Sequence, residues 1–349
     1  WWYHNLGSVT GAGVAEITNQ MEYDDDAAHQ ACQKLYDLSR GHDERPWCLT
    51  VSFTHPHDPF VARRKYWDLY ENSPELEPAE PVAYDDLDAH SQRLLDSVDW
   101  RKFTISQDQE RRARRGYYAN ISYIDDKIGE ILDTLERSRQ EAVILFVSDH
   151  GEMLGEHGLW FKMSFFEESS RVPMMISTPD LAPGRVDQPV STLDILPTLA
   201  DIAGIPLSEI APWTDGESLL PLMHGTGGRG PVPMEYAAEG TISPMVGLVD
   251  GPWKYIACAP DPEQLYNLDN DPRERENLAT NQEFAPVLER LRAMSNARWD
   301  LAAYDSEVRQ SQARRWIVYE ALRNGKFEAW DFQPKRPASE RYMRNHMDL

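Results

Sequence analysis

Ionisable side chains are concentrated in residues 143–173, directly behind an apolar run that is typical of a buried strand. Asp149 and His150 adjoin at the end of that run, and Gly151 follows, where glycine can adopt the positive φ of a tight turn. A carboxylate and an imidazole presented together from a strand end could supply two ligands to a divalent metal. The same pair is also typical of a helix-capping aspartate beside a surface histidine, so further ligands must come from elsewhere.

Two cationic or titratable side chains accompany this pair. Lys162 lies in the same segment, and His57 lies in a second loop, FTHPHDPF at residues 53–60, which also follows an apolar run. Each could simply be solvated at the surface. If the two loops share one side of a sheet, however, His57 and Lys162 would surround an anion with positive charge. The pattern therefore favours a site for an anionic group next to a metal.

The elements that must position these loops alternate along the first 230 residues. Strands are predicted at 47–53, 142–148 and 171–178, and helices at 27–40, 107–137 and 191–204, the last with Gly204 as its C-cap. This alternation predicts an α/β sandwich around a mostly parallel sheet. Ligands bind such folds beyond the carboxyl ends of the strands, where both ionisable loops fall.

The pattern changes after residue 230. An antiparallel hairpin is predicted from 246–249 and 253–258, turned by Asp250 and Gly251, and a helix is predicted at 283–300. We therefore divide the sequence into three predicted parts. They are residues 1–230, belonging to the α/β domain; 231–305, a smaller antiparallel-sheet plus helix domain; and 306–349, a tail with a short helix and an extended end.

Composition narrows the classes of function. The chain has 349 residues, 41% of them hydrophobic, and no apolar run approaches the roughly 20 residues of a membrane span. A net charge of -23 argues against a nucleic-acid or acidic-membrane partner, because phosphate groups would be repelled. The three cysteines have no CxxC spacing and predict neither a disulfide framework nor a zinc site. With no secretory signal at WWYHNLGS, we expect a reducing, cytoplasmic location.

Long motifs in the sequence resemble those of type I sulfatases, in the alkaline-phosphatase-like superfamily. SDHGEMLGEHGLWFKMSFFEESSRVPMMI is similar to the second signature region of that family, and FTHPHDPF is similar to its His-x-Pro region. The ending PASERYMRNHMDL, with EALRNGKFEAWDFQP before it, resembles the tail of the choline sulfatase branch. The resemblance extends essentially from end to end, and it implies the family's sandwich fold.

The resemblance implies roles for four of the residues. Asp149 and His150 match the second pair of metal ligands. Lys162 matches the lysine that holds the sulfate and helps the leaving oxygen depart, and His57 matches the histidine that acts on the sulfate or leaving group as general acid. Calcium is the implied metal. Many relatives carry Asn in place of His150, and a nitrogen ligand suits calcium poorly, so manganese is an alternative.

Two parts of the family's site are missing from this sequence. The nucleophile of these enzymes is a formylglycine made within a Cys/Ser-x-Pro-x-Arg motif, and Cys32, Cys48 and Cys258 all lack that context. The family's first metal-binding aspartate pair is missing as well. Both normally lie upstream of the position that corresponds to Trp1. We therefore expect this chain to be the C-terminal two-thirds of a sulfatase and to be inactive alone.

The resemblance of the tail implies choline-O-sulfate as substrate. A quaternary ammonium is bound by aromatic faces and a carboxylate. Residues 235–245, EYAAEGTISPM, offer Glu239 for this purpose, although an exposed surface glutamate would look the same. His4 is a further candidate for the same pocket. Asp348 resembles an acidic tail position that reaches a neighbouring subunit's active site, which implies a homo-oligomer assembled through the tail.

The predicted function is hydrolysis of choline-O-sulfate to choline and sulfate. Two alternatives remain open from the sequence. One is a phosphonate or phosphate ester hydrolase of the same superfamily, which would share the metal site. The other is a catalytically inactive binding or scaffold protein, which is favoured if this chain is the natural product.

Overall fold

The computed structural model describes residues 6–80 and 82–325 and contains helices and short strands. The helices are α1 Gly7–Thr10, α2 Asn19–Arg40, α3 Arg64–Trp67, α4 Ala89–Ser97, α5 Gln107–Arg137, α6 Glu167–Ser170, α7 Ile195–Ile202, α8 Leu207–Ile210, α9 Leu220–Met223, α10 Ala285–Arg298 and α11 Leu301–Asn324. The strands are β1 Gly13–Val14, β2 Val61–Ala62, β3 Ile144–Val147, β4 Met174–Ser177, β5 Val232–Tyr236, β6 Met245–Asp250, β7 Trp253–Cys258 and β8 Gln264–Asn267.

The strands pair in three groups. β1 and β2 pair in parallel, β3 and β4 pair antiparallel, and β5 to β8 form an antiparallel sheet in chain order. The parallel pairing that the sequence predicts is thus present between β1 and β2, whereas the pair nearest the ionisable segment runs antiparallel.

The long helix α5 has the bounds that its apolar stripe predicts. Its first turn is closed by a capping box, in which Ser106 and Gln109 satisfy each other's backbone amides. Tyr123 anchors α5 to α2 by donating its hydroxyl to the Asp25 carboxylate at 2.9 Å, and the Met21 carbonyl lies 3.3 Å from the same hydroxyl. A side chain at Gly116 would place Cβ 2.2 Å from the Phe60 carbonyl oxygen, so glycine allows α5 to lie directly against the loop that carries His57.

The predicted strand at 47–53 is wrong. Its side chains do alternate, with Leu49, Val51 and Phe53 partly buried between exposed neighbours. Within the described ranges, however, no segment lies beside it to exchange backbone hydrogen bonds, and a strand is defined by that pairing. The prediction of a buried strand at 171–178 also needs correction, because β4 is half-exposed and Met175 is 60% exposed.

The predicted hairpin is confirmed. β6 and β7 pair from Met245 with Cys258 to Asp250 with Trp253, and Gly251 takes φ +57 in the turn. Apolar side chains of this sheet pack against α10 and form a core of their own, which contains Val246, Leu248, Tyr255, Leu265, Leu288 and Leu291. The predicted helix at 283–300 is confirmed as α10, slightly shorter at both ends.

Helix α11 is longer than the short helix predicted for the tail. It begins at Leu301 and ends at Asn324, and so it crosses the predicted boundary between residues 305 and 306. The three-part division of the chain remains a prediction. Of the helices that the structure describes, none is both long and apolar enough to cross a membrane.

Candidate active site

The segment that carries Lys162 leaves β3 and folds back on itself. The Gly151 amide donates to the Ser169 carbonyl at 2.7 Å, and a Cβ at Gly151 would lie 2.0 Å from the Glu168 carbonyl oxygen. Glycine is therefore required for this close approach. Further along, the Met153 amide donates to the Phe161 carbonyl at 2.8 Å. These two hydrogen bonds hold Phe161 and Ser169 beside Met153 and Gly151, and Lys162 directly follows Phe161.

The loop that carries His57 is fixed by Asp58. The Asp58 carboxylate accepts a hydrogen bond from the Ser8 hydroxyl at 2.7 Å. The Asp58 backbone carbonyl accepts one from the Gln20 side-chain amide, Nε2, at 2.9 Å. His57 Nδ1 lies 2.9 Å from the same carbonyl and 3.1 Å from the carboxylate oxygen Oδ1. Both neighbours of Nδ1 are acceptors, so this nitrogen carries the ring proton.

Lys162 and His57 meet across the site although 105 positions separate them in sequence. Lys162 Nζ lies 2.5 Å from His57 Nε2. With the proton on Nδ1, the Nε2 lone pair accepts from the ammonium group. The structure thus brings together the two residues predicted for the sulfate end.

Asp149 and His150 lie beside this pair. The His150 ring centroid is 6.1 Å from that of His57, and His150 Nε2 is 3.7 Å from an Asp149 carboxylate oxygen. His150 Nδ1 donates to the Gly151 carbonyl at 2.8 Å, which leaves Nε2 as an acceptor. A metal-binding histidine commonly has its other nitrogen held by a carbonyl in this way. The Asp149 side chain is 85% exposed.

These two side chains fit one half of a divalent-metal site. They offer one carboxylate and one unprotonated imidazole nitrogen, whereas calcium takes six to eight oxygen ligands and zinc four ligands. In residues 6–80 and 82–325, no group of three or more His, Cys, Asp or Glu side chains is arranged to hold a metal ion. A complete site would need ligands in addition to Asp149 and His150.

Glu152 stabilises the loop that precedes Lys162. The sequence alone does not indicate this role. Its carboxylate accepts hydrogen bonds from the Phe161 amide at 2.6 Å and the Leu154 amide at 3.3 Å. Burial raises the pKa of Glu152 to about 7; the two amides oppose this rise, and the charge of Asp58 adds to it. Because Phe161 precedes Lys162, Glu152 closes the loop at the residue next to the site lysine.

Glu239 lies in an exposed turn after β5. Its carboxylate accepts a hydrogen bond from the Tyr236 hydroxyl at 3.1 Å, and the Tyr236 ring packs edge-on against Phe165 with centroids 6.5 Å apart. Glu239 is thus connected to the segment of Lys162 through one aromatic ring. The nearby Glu235 is occupied differently, because it accepts a hydrogen bond from the Trp299 indole at 2.7 Å.

Two predicted substrate-binding residues, His4 and Asp348, lie outside the described residues. A separate cavity of about 300 Å³ lies at the N-terminal end of α4, and its lining includes Asp88, Tyr266 and Arg275. None of the predicted site residues lines this cavity, so it is distinct from the predicted site.

Three family models match the sequence. The model for sulfatases matches residues 3–205, which is more than half of the chain. The model described as N-sulphoglucosamine sulphohydrolase, C-terminal, matches residues 155–298, and the model described as choline sulfatase enzyme C terminal matches residues 306–349. The chain belongs to the sulfatase family, a class of sulfate ester hydrolases.

Curated relatives narrow this class. The chain is 59% identical over 359 residues to a choline-sulfatase of Rhizobium meliloti (strain 1021), covering 100% of the chain and 70% of the relative. It is 29% identical over 289 residues to a sulfatase of Formosa agariphila, covering 78% of the chain and 54% of that relative. The chain therefore spans between about half and 70% of the length of these relatives.

Solved structures show the same fold. The phosphonate monoester hydrolase of Silicibacter pomeroyi superposes with a TM-score of 0.66 at 23% sequence identity, covering 78% of this chain and 60% of that one. At this identity the likeness concerns the fold alone. It confirms the predicted fold class, an α/β sandwich of the alkaline-phosphatase and sulfatase type.

Proposed function

We propose that the protein to which this chain belongs hydrolyses choline sulfate to choline and sulfate. The observation that carries the proposal is the 2.5 Å contact between Lys162 Nζ and His57 Nε2, next to Asp149 and His150. An ammonium group and an imidazole nitrogen meet there beside two potential metal ligands. Such an arrangement suits a small anion whose ester oxygen must be protonated as it leaves.

Lys162 and His57 have different roles at the sulfate end in this proposal. Lys162 would exchange its hydrogen bond with the neutral His57 ring for one to a sulfate oxygen, in which donor and acceptor are both charged. His57, once it has also taken up a proton from solvent at Nε2, would give that proton to the choline oxygen when the sulfur–oxygen bond breaks. Asp58, in contact with Nδ1, stabilises the imidazolium form that delivers this proton.

Two further groups belong to the proposal. A divalent metal, when bound, supplies Lewis-acid stabilisation of charge on the sulfate oxygens, and Asp149 and His150 would be two of its ligands. Calcium is the expected ion and manganese the alternative. The formylglycine nucleophile requires a Cys/Ser-x-Pro-x-Arg motif, which this sequence does not contain. We accordingly expect no turnover from the 349-residue chain alone.

The choline end is assigned to Glu239. Its carboxylate and the Tyr236 ring, linked by their hydrogen bond, offer the negative charge and aromatic surface that a quaternary ammonium requires. The match of residues 306–349 to the choline sulfatase C-terminal model supports this substrate class. We keep homo-oligomerisation through the tail, with Asp348 reaching a neighbouring subunit, as part of the same proposal. The cytoplasmic location also remains a prediction.

The test compares substrates on the longest natural polypeptide that contains this sequence. We expect kcat/KM to be highest for choline sulfate, lower for 4-nitrophenyl sulfate and lowest for a phosphonate monoester. A preference for the phosphonate would favour the other hydrolase function. Choline sulfate binding without turnover would favour a binding protein. The isolated 349-residue chain, assayed in parallel, should give only the background rate.

A further inference from the structure

The backbone that follows Lys162 is irregular and largely buried, and its carbonyl groups are satisfied by side chains. The Lys162 carbonyl accepts a hydrogen bond from the Ser169 hydroxyl. The Met163 carbonyl accepts one from His90 Nε2 at 2.6 Å, and the Phe165 carbonyl accepts one from Lys254 Nζ at 2.8 Å. Because buried carbonyls need partners, these donors determine which conformation the segment can adopt.

Lys254 is the least expected of these donors. It lies on β7 of the C-terminal sheet, and its side chain is completely buried. An ammonium group has three N–H donors, and three oxygens surround this one. They are the Phe165 carbonyl at 2.8 Å, a Glu167 carboxylate oxygen at 2.6 Å and a Glu274 carboxylate oxygen at 2.8 Å. Two of the three belong to the segment that follows Lys162.

Glu274 completes the anchor from the other side. Its second carboxylate oxygen accepts a hydrogen bond from the Glu167 amide at 2.6 Å, and its side chain is also fully buried. Lys254 and Glu274 therefore hold Glu167 by its carboxylate and by its amide. A buried ion pair adds little net stability compared with apolar residues of the same size, whereas it specifies one arrangement of its partners.

We propose that Lys254 is a positioning residue for sulfate ester hydrolysis, which fixes residues 165–167 so that the Lys162 ammonium stays opposite His57. The inference rests on the proposed function. Its physical basis is that a displacement of about 1 Å at a reacting group can lower the rate by about 10²-fold. The C-terminal sheet contributes to catalysis in this way without touching the substrate.

The first arm of the test measures kinetics of Lys254→Met in the longest natural polypeptide that contains this chain. Methionine keeps an unbranched side chain and removes the charge. We expect kcat to fall roughly 10²-fold for choline sulfate and for an aryl sulfate alike, with KM changed less than about threefold. Glu167→Gln weakens the same anchor while keeping the shape of the side chain, and it should lower kcat several-fold. This variant tests the proposal if Lys254→Met does not fold.

The matched control is Leu291→Ala. Leu291 is fully buried on α10 in the core beneath the same sheet, and it belongs to a different apolar cluster from Phe165. The substitution should lower the melting temperature without altering kcat below that temperature. A purely structural role for Lys254 predicts the same behaviour for both variants, and that result would overturn the proposal.

The second arm does not depend on activity. Hydrogen exchange measured by mass spectrometry should show that a peptide spanning residues 162–171 exchanges at least tenfold faster in Lys254→Met than in the wild type. In Leu291→Ala the same peptide should be unchanged. If the wild type hydrolyses no sulfate ester, the proposed function fails while this arm still reports on the anchor. Unchanged exchange in Lys254→Met, or faster exchange with unchanged kcat, would contradict the positioning role.

Discussion

Two neighbouring parts of the candidate site differ in how many of the groups they need are supplied by this chain. His57 and Lys162 contact each other, Asp58 holds the His57 ring, and Glu152 closes the loop next to Lys162. Asp149 and His150, by contrast, are connected mainly to each other and to the adjacent backbone, and the Asp149 side chain is 85% exposed. The proposed anion-binding half is built from residues of this chain, whereas the proposed metal-binding half offers two ligands of a larger set.

This difference separates two physical requirements. A hydrogen-bonded pair needs two well-placed groups, and packing of two loops supplies them. A divalent ion needs several ligands from several segments, and two side chains alone bind it weakly. Substitutions in the first half should therefore change rate or stability within this chain. Substitutions in the second half should act mainly through the bound ion.

The largest expected effect is that of Lys162→Ala on catalysis. We expect kcat/KM to fall by 10²- to 10³-fold, roughly 2.7–4 kcal/mol, because one charge-assisted contact to the transition state is lost. The loss should be equal for choline sulfate and an aryl sulfate, since both carry the sulfuryl group. Lys34→Ala, at an exposed position of α2, is the control and should leave both rates unchanged. A loss confined to choline sulfate would contradict the role.

The next largest effect concerns the buried anchor beneath the Lys162 segment. Burial raises the pKa of Glu274 to about 7, and the ion pair with Lys254 opposes this rise. The unfolded chain has the ordinary value near 4.5. Between these values the native state keeps a proton that the unfolded state has released, so the free energy of unfolding falls as pH rises from about 4.5 to 7.

Glu274→Gln should remove this part of the pH dependence. Relative to the variant, the wild type should lose roughly 2–3 kcal/mol of unfolding free energy between pH 5 and pH 8, at 1.36 kcal/mol per pKa unit. Denaturant unfolding at the two pH values measures it. Glu307→Gln, at an exposed position of α11, should keep the wild-type slope. Parallel pH profiles for wild type and Glu274→Gln would show that Glu274 is ionised in the native state throughout this range.

A smaller effect should distinguish the choline end from the sulfate end. Glu239→Gln keeps the shape of the side chain and removes its charge. We expect kcat/KM for choline sulfate to fall about tenfold, equivalent to about 1.4 kcal/mol, because the quaternary ammonium loses a Coulomb partner. The rate with a neutral aryl sulfate should change far less. Equal losses on both substrates would indicate that Glu239 supports the fold instead.

The smallest expected change in folding stability is that of Asp149→Ala. The side chain is mostly exposed and accepts hydrogen bonds from its sequence neighbours, the His150 amide at 2.9 Å and the Ser148 hydroxyl at 3.5 Å, so the metal-free chain should lose no more than about 0.5 kcal/mol. The same substitution should lower the metal content of the longest natural polypeptide, as measured by elemental analysis. Stoichiometric metal in that variant would show that the ligand assignment is wrong.

Features that depend on neighbours along the chain can be predicted from the sequence alone. The apolar stripe of residues 107–137 predicts α5 with its observed bounds, and the structure adds the capping box of Ser106 and Gln109. Alternation and the Asp250–Gly251 turn predict the hairpin of β6 and β7. The adjacency of Asp149 and His150 after a strand likewise requires no tertiary information. The segment at 47–53 was predicted wrongly because its alternation is local, whereas strand formation depends on a partner.

The tertiary structure alone fixes the contacts between distant segments. It placed Lys162 Nζ against His57 Nε2, although 105 positions separate the two residues in sequence. The residue types alone suggest positive charge around an anion, but they do not predict this contact. The tertiary structure also buried Lys254 with Glu167 and Glu274 beneath the Lys162 segment. A lysine in a strand pattern is ordinarily exposed, and its burial depends on acceptors supplied by two other parts of the chain.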